Sequence, residues 1–462
     1  MNENSYDVAI LGGGVGGYTA ALRAALRGAR VCCIEQSMLG GTCLNLGCIP
    51  VKAMLRSSQL YYQATHSEQF GIRAEGVQVD EKTLLLRVRK VISDLRNGLS
   101  ALLKARKVDV IIGRGKLTSP KTLKVQTDSE VIEISAAAII IATGSSPIKP
   151  DFLPWGQEGI MTTDEALQSE KLPRSVIIVG GGVIGCELAT FYSELGIETS
   201  IVEILDRLVA HMDAEVSQSI AKSLSIRGAK IFTSTKITNV EKTTSRIKAS
   251  LDNGEEIHTE QLITAVGRKA NIENIGLEEI GIETAEGVIK VDERCRTNIE
   301  NIYAVGDVAE KRQYAHLAAR MGIIAADNAC GIDARDDRTV VPAGIYTHPE
   351  IAVVGMTETQ ARQSGKDIRI ANFPLAANGL AHAYNQTDGK VKIIAENPDG
   401  KILGGLIIAP HATDAIQEIA LAIRKSLTVK DLAETIHPHP TFVESITGAA
   451  ESLLGLPIHT LR

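Results

Sequence analysis

Apolar residues in this chain alternate between short continuous runs and helical spacing, and one such alternation occurs twice. A run from Asp7 to Leu11 reads as a buried strand. It passes through Gly12-Gly13-Gly14-Val15-Gly16-Gly17 into a helical pattern from Tyr18 to Arg27, then a second run from Val31 to Ile34. Further along, Ser175 to Val179, then Gly180-Gly181-Gly182-Val183-Ile184-Gly185, a helix from Cys186 to Leu195 and a run from Glu198 to Val202 repeat the arrangement. A glutamate closes each copy, Glu35 in the first and Glu203 in the second. Between them lie a long charged helical stretch, about Thr83 to Ala105, and a β-rich segment from Val108 to Ile134. Each copy ends in an apolar strand with a glycine exit, Ala142-Thr143-Gly144 and Ala265-Val266-Gly267. A third such strand, Ile302 to Val305, meets Gly306-Asp307, after which Ala315 to Ala326 reads helical. From about Val341 the alternation predicts antiparallel strands (Gly389 to Ala395, Ile402 to Ile408) and helices (Thr413 to Leu421, Val429 to Glu434), a separate α+β domain.

The glycine spacing gains meaning from its context: each copy follows a strand, opens a helix and has an acidic residue at the end of the next strand. Gly12 and Gly180 make the turn. Gly14 and Gly182 let backbone N–H groups approach a pyrophosphate at the positive helix end, and Gly17 and Gly185 allow close helix packing. Glu35 and Glu203 are placed for ribose hydroxyls. A carboxylate at 203 repels the 2′-phosphate of NADP, and no arginine occupies that strand end, so NAD is preferred; Arg207 works against this unless it is a surface charge. The competing reading is two tight strand-to-helix turns without a ligand. The predicted fold is α/β, two duplicated Rossmann-like units and a carboxy-terminal α+β domain, with limits at 1–143, 144–267, 268–340 and 341–462.

Two segments carry candidate chemistry. Cys43 and Cys48 sit in Gly40-Gly41-Thr42-Cys43-Leu44-Asn45-Leu46-Gly47-Cys48-Ile49-Pro50-Val51-Lys52. An ideal helix holds residues five apart at roughly 8.7 Å between Cα atoms, whereas a disulfide needs about 4.4–6.8 Å. The pair must therefore straddle a distorted helix start. Asn45 and Gly47 supply backbone tolerance, Pro50 fits the first turn, and Lys52 lies one turn beyond Cys48, where its cation favours the thiolate. The plainer alternative is two small core cysteines. The other segment is Ile436-His437-Pro438-His439-Pro440-Thr441-Phe442-Val443-Glu444. Each proline drives the preceding histidine out of the helical region, giving a stiff strut that holds a general base, with Glu444 placed to orient the imidazole. His439 is the stronger candidate and His437 the weaker. Thr441 and Glu444 equally fit a capping box with a helix starting near Thr441. Metal ligation by these histidines and cysteines lacks any CxxC spacing.

Composition narrows the field. The 462 residues carry a net charge of −6 without a basic block, which removes nucleic acid as a partner. The start of the chain is polar and acidic, unlike a signal peptide, and the longest apolar run, Ala136 to Ala142, is far short of the ~20 residues that span a bilayer. Seven cysteines are an odd number for a secreted disulfide framework. A cytoplasmic protein without membrane contact is expected.

Together these residues resemble the pyridine nucleotide-disulfide oxidoreductases, over essentially the whole chain. Gly-Gly-Thr-Cys-Leu-Asn-x-Gly-Cys-Ile-Pro at 40–50 and His-x-His-Pro-Thr-x-x-Glu at 437–444 are highly specific, and Gly180 to Glu187 fits as well. Within the family the similarity is to members that oxidise dihydrolipoyl groups. The resemblance implies FAD in the first unit and NAD in the second. Asp307 is then expected at the ribityl chain, Gly115, Thr143, Gly144 and Ser145 along FAD with Ala315 and His316 beside it, and Gly267 at NAD. Lys52, paired with Glu187, is expected at the reactive edge of the flavin. Cys43 exchanges with the substrate while His439 takes its proton and Glu444 holds that ring, Cys48 faces the flavin, and His439 and Glu444 reach the partner subunit's cysteines in a homodimer. With no lipoyl-bearing extension before residue 1, the substrate is expected on another protein, a lipoyl domain of a multienzyme-complex acyltransferase or a lipoyl carrier. Val51 and Leu317 depart from the family's usual serine and lysine, away from this chemistry. Rival readings are an NADPH-dependent disulfide or mercuric reductase, against which Glu203 counts, and a non-catalytic flavoprotein scaffold.

Overall fold

Two five-stranded parallel arrays give the molecule its frame. The computed structural model describes residues 4–243 and 246–460. In the first array Asp109–Ile112, Val31–Glu35, Ser5–Leu11, Val131–Ile141 and Ile302–Ala304 lie side by side in that order. In the second the order is Lys230–Phe232, Glu198–Val202, Ser175–Val179, Gln261–Thr264 and Ile160–Thr162. Strands buried on both faces, such as Val31–Glu35 and Ser175–Val179, read as continuous apolar runs for that reason. An antiparallel three-stranded segment accompanies each array, 114–141 in the first and 237–259 in the second. The duplication therefore extends beyond the glycine loops. In both arrays the fifth strand comes from outside the repeat: Ile302–Ala304 follows the second unit, and Ile160–Thr162 precedes it in the chain.

Helices Val15–Leu26 and Val183–Glu194 begin three residues earlier than the apolar spacing indicates. Gly17 and Gly185 lie inside the first turns, where their missing side chains leave room for the loop carbonyls. A Cβ on Gly17 would stand 1.8 Å from the Gly12 oxygen, and one on Gly185 2.0 Å from that of Gly180. Helix Ala315–Ala329 crosses Val15–Leu26 through another small-residue contact, Gly322 against the Gly16 carbonyl. From 343 onward a five-stranded antiparallel sheet carries Ala412–Arg424 and Ser445–Leu453. One apolar cluster joins all three regions, with Val51, Met54 and Leu55 of the cysteine helix, Leu188 and Phe191 of the second unit, and Ile345, Ile351 and Leu406 of this sheet. Among the described residues no helix is long and apolar enough to cross a membrane.

Candidate active site

The cysteine segment forms two helices, Gly41–Leu46 and Cys48–Thr65, broken at Gly47 with φ −149° and ψ −110°. Cys43 and Cys48 thus stand on opposite sides of a break that brings their thiols into hydrogen-bonding reach. The distorted start follows the covalent argument, with one correction. Asn45 stays helical and buried, and its Nδ2 ties the segment down through the Leu39 and Gly41 carbonyls at 3.0 and 2.9 Å. Gly47 alone provides the freedom, because a helix interior is where asparagine has none to offer. Cys48, though exposed, is held down at about 7, chiefly by the hydrogen bond from Cys43; partial desolvation opposes this, the Lys52 ammonium adds to it and the Glu187 carboxylate subtracts. Cys43, which gives up that hydrogen bond, is pushed up by the same contact and by burial.

Lys52 Nζ meets both Glu187 oxygens at 2.9 and 2.8 Å. Glu187 lies on the buried face of Val183–Glu194, so the helix that opens the second nucleotide loop also carries the counter-charge of the cysteine helix.

Each loop shows the three-glycine division of labour. Gly12 and Gly180 have φ of +110° and +106°, and a Cβ on either would strike the Ala142 or Ala265 carbonyl. Gly182 has open space on its Cβ side, Gly14 meets nothing closer than 3.8 Å, and both helices begin without a side-chain cap, so their first N–H groups are free for an anion. Glu35 accepts from Gly13 N at 2.8 Å and Ser37 N at 2.8 Å; Glu203 accepts from Gly181 N at 2.6 Å and Leu205 N at 2.8 Å. Each carboxylate braces its loop and keeps lone pairs for ribose hydroxyls. A dinucleotide fits both cradles.

Around the first cradle, Gly144 has φ +70° and open space, while the Thr143 hydroxyl is engaged with the Asn271 carbonyl at 2.8 Å. A Cβ on Gly115 would stand 2.5 Å from the Leu11 side chain, so the position has room for backbone alone. Ser145 Oγ donates to Asp307 Oδ2 at 2.6 Å, and burial raises the Asp307 carboxyl. Arg268, whose part the sequence did not signal, ties these together: it donates to Ser145 Oγ at 3.0 Å and to Asp164 at 2.8 Å, with Thr42 Oγ1 3.3 Å away. Ala315 opens its helix, and His316, lowered by burial, bonds the Pro342 carbonyl at 2.9 Å. Gly267 has φ +112° at the second unit's exit. The substituted Val51 and Leu317 are both buried core residues.

At the other end His439 Nδ1 lies 2.9 Å from Glu444 Oε1, its side chain 77% exposed. Burial acts against Glu444, yet hydrogen bonds from His439 and Thr441 hold its carboxyl below the usual range. His437 is a structural residue, 7% exposed and fixed by Glu418 at 2.9 Å and Thr447 at 2.9 Å. The helix after the strut starts at Ser445 rather than near Thr441. Thr441 N donates to Glu444 Oε2, but its hydroxyl turns back to the Pro438 carbonyl, so only half of a capping box forms. Within the chain and among the described residues, Glu444 is the only hydrogen-bond partner of His439.

Two nucleotide cradles meeting at a dithiol define a dinucleotide-linked dithiol oxidoreductase. The chain belongs to the pyridine nucleotide-disulphide oxidoreductases: residues 6–322 match that family's model and 341–450 match its dimerisation domain. That domain supports a homodimer, and the family implies FAD and NAD(P). The chain is 40% identical over 469 residues to a dihydrolipoyl dehydrogenase of Bacillus subtilis, covering 98% of this chain and 99% of that one. Its fold matches the crystal structure of LpdA from Mycobacterium tuberculosis with a TM-score of 0.90 at 30% identity, covering 96% and 99% of the two chains. It also matches the HOCl-induced flavoprotein disulfide reductase RclA of Escherichia coli, with a TM-score of 0.87, 28% identity and coverage of 96% and 99%.

Proposed function

We propose that this chain is a dihydrolipoyl dehydrogenase, oxidising dihydrolipoyl groups through Cys43 and Cys48 with FAD in the first cradle and NAD in the second. The observation that carries the reading is the dithiol across the Gly47 break, with Lys52 and Glu187 behind Cys48 and a separate, exposed His439–Glu444 couple. A bound flavin supplies two-electron transfer from the dithiol to the nicotinamide. The residues do the rest. In the oxidised enzyme a substrate thiolate attacks Cys43 Sγ, the Cys43–Cys48 bond breaks, and Cys48 leaves as a thiolate favoured by Lys52. The second substrate thiol then displaces Cys43 from the mixed disulfide, closing the lipoyl ring. His439 of the partner subunit takes the proton, and Glu444 orients the ring and stabilises its cationic form. Exposure of His439 on its own chain supports that division between subunits.

Support for NAD over NADP comes from the carboxylate of Glu203 at the end of the strand after the second loop, which would repel a 2′-phosphate, and from Arg207, which is turned to the Ala210 carbonyl at 2.9 Å and to Asp206 at 3.4 Å. The pairing of Ser145–Pro147 with Arg268–Ala270 at the two unit exits supports domain limits at 143/144 and 267/268, and the domain matched at 341–450 supports one at 340/341. The lipoyl group is carried by a separate acyltransferase or carrier protein, and the odd total of seven cysteines, unlike a secreted disulfide framework, fits a cytoplasmic setting. Anaerobic addition of dihydrolipoamide is expected to bring up a long-wavelength thiolate–flavin absorbance that NAD then discharges. Turnover retained in Cys48→Ser overturns the proposal.

A further inference from the structure

One residue outside both repeats grips the two members of the Lys52–Glu187 pair. Tyr346 follows the strand Ala343–Ile345, which is fixed by antiparallel pairing to Ile351–Gly355, so its backbone belongs to neither helix it touches. Its N–H donates to Glu187 Oε1 at 3.0 Å, and its ring centroid lies 4.5 Å from Lys52 Nζ. Two residues on, His348 Nδ1 meets Glu194 Oε1 at 2.5 Å, while Ser58 Oγ donates to Glu194 Oε2 at 2.7 Å. Glu187 and Glu194 are two turns apart on one helix face. The short segment from Tyr346 to His348 therefore sits against both helices and ties the cysteine helix to the helix of the second nucleotide loop at two levels.

The charges beside Cys48 act in opposite directions. A carboxylate and an ammonium in contact form a dipole, and its effect on a nearby sulfur depends on which end is closer and how well each is screened. Glu187 is 4% exposed and Lys52 is 31% exposed, so the ammonium is the end that water reaches. Resting on the reading of Cys48 as the thiolate that faces the flavin, we propose that Tyr346 is a positioning residue for that thiolate. Its N–H fixes the carboxylate, and its ring shields and holds the ammonium, keeping the positive end of the pair directed at the sulfur.

The sign of the effect follows from what a substitution leaves behind. A ringless residue at 346 keeps the backbone N–H on Glu187 and so keeps the repulsion. It admits water around Lys52, which weakens the attraction. The thiolate then forms at higher pH. The test uses the FAD-loaded dimer, reduced anaerobically with dihydrolipoamide, and follows the long-wavelength thiolate absorbance against pH. Tyr346→Leu and Tyr346→Gln are each expected to raise the midpoint by about half a pH unit, the size of an exposed cation–π contact expressed as a pKa change. Tyr346→Phe, which retains the ring, restores the wild-type midpoint. Two ringless variants keep the result independent of the folding of either. A wild-type protein without the absorbance sinks the underlying function, and this inference with it. A wild-type absorbance whose midpoint is unmoved or lowered in the ringless variants, or raised equally in Tyr346→Phe, overturns the role of Tyr346 alone.

Discussion

Gly185→Ala separates the two nucleotide cradles, because it strikes one repeat and leaves its twin untouched. The new Cβ lands 2.0 Å from the Gly180 oxygen, 1.0 Å inside the 3.0 Å limit that side chains respect. Neither side can retreat freely. At Gly180, with φ +106°, the Ala265 oxygen stands only 2.5 Å from where a Cβ would lie, and the helix is buried continuously from Gly185 to Glu194. Overpacking of this kind costs about 1–3 kcal/mol, and here it falls on the loop whose N–H groups would receive the NAD pyrophosphate. At about 1.4 kcal/mol per tenfold change, NAD binding to the purified protein, followed by titration calorimetry, is expected to weaken roughly 5- to 140-fold. Flavin absorbance should be unchanged. Gly17→Ala makes the corresponding collision in the first repeat, 1.8 Å from the Gly12 oxygen, and is expected to release flavin instead. If Gly185→Ala binds NAD with wild-type affinity, or sheds flavin as readily as Gly17→Ala, the assignment of one nucleotide to each repeat is refuted.

Three further outcomes follow from the site. His439→Gln should lower kcat with dihydrolipoamide by about 10²- to 10⁴-fold while leaving flavin content and dimer size unchanged; a loss below tenfold removes His439 as the base. Glu203→Ala takes away the carboxylate proposed to face the ribose as well as the brace on Gly181 and Leu205, so KM for NAD should rise about tenfold while discrimination against NADP shrinks, which steady-state assays with both nucleotides will measure. In the reduced protein Cys48 titrates at about 7 rather than 9.0, so the stabilisation from its thiolate is complete above pH 9.0 and is lost as pH falls through about 7. Alkylation of Cys48, followed by peptide mass spectrometry, should therefore accelerate through a midpoint near 7. Cys43→Ala should move that midpoint upward, since it deletes the largest favourable contact; an unchanged midpoint contradicts the pairing.

How far the chain could be read depended on the distance over which each feature is encoded. The two glycine loops, the glutamates ending the following strands and the alternation of runs are local patterns, so they survive translation into structure with helix starts displaced by three residues. Distortion between Cys43 and Cys48 was legible because covalent geometry alone forbids a regular helix there. The choice of Gly47 over Asn45 was not, since Asn45 is fixed by carbonyls at Leu39 and Gly41 that only the folded loop presents. Likewise, His-Pro-His-Pro spells a strut and ranks His439 above His437, but what occupies His437 is a tertiary matter. Packing against Glu418 and Thr447 removes His437, and the turn of Thr441 toward Pro438 delays the helix to Ser445.

By itself, then, the sequence determined the duplicated units, the nucleotide loops, the dithiol and the family to which they point, because each rests on residues within a few positions or on one βαβ turn. Tertiary structure decided what stands beside the thiolate. Lys52 and Glu187 are 135 residues apart, and Tyr346 lies 159 beyond Glu187. They meet only because the apolar faces of three regions pack into one cluster, and no local backbone preference encodes that meeting.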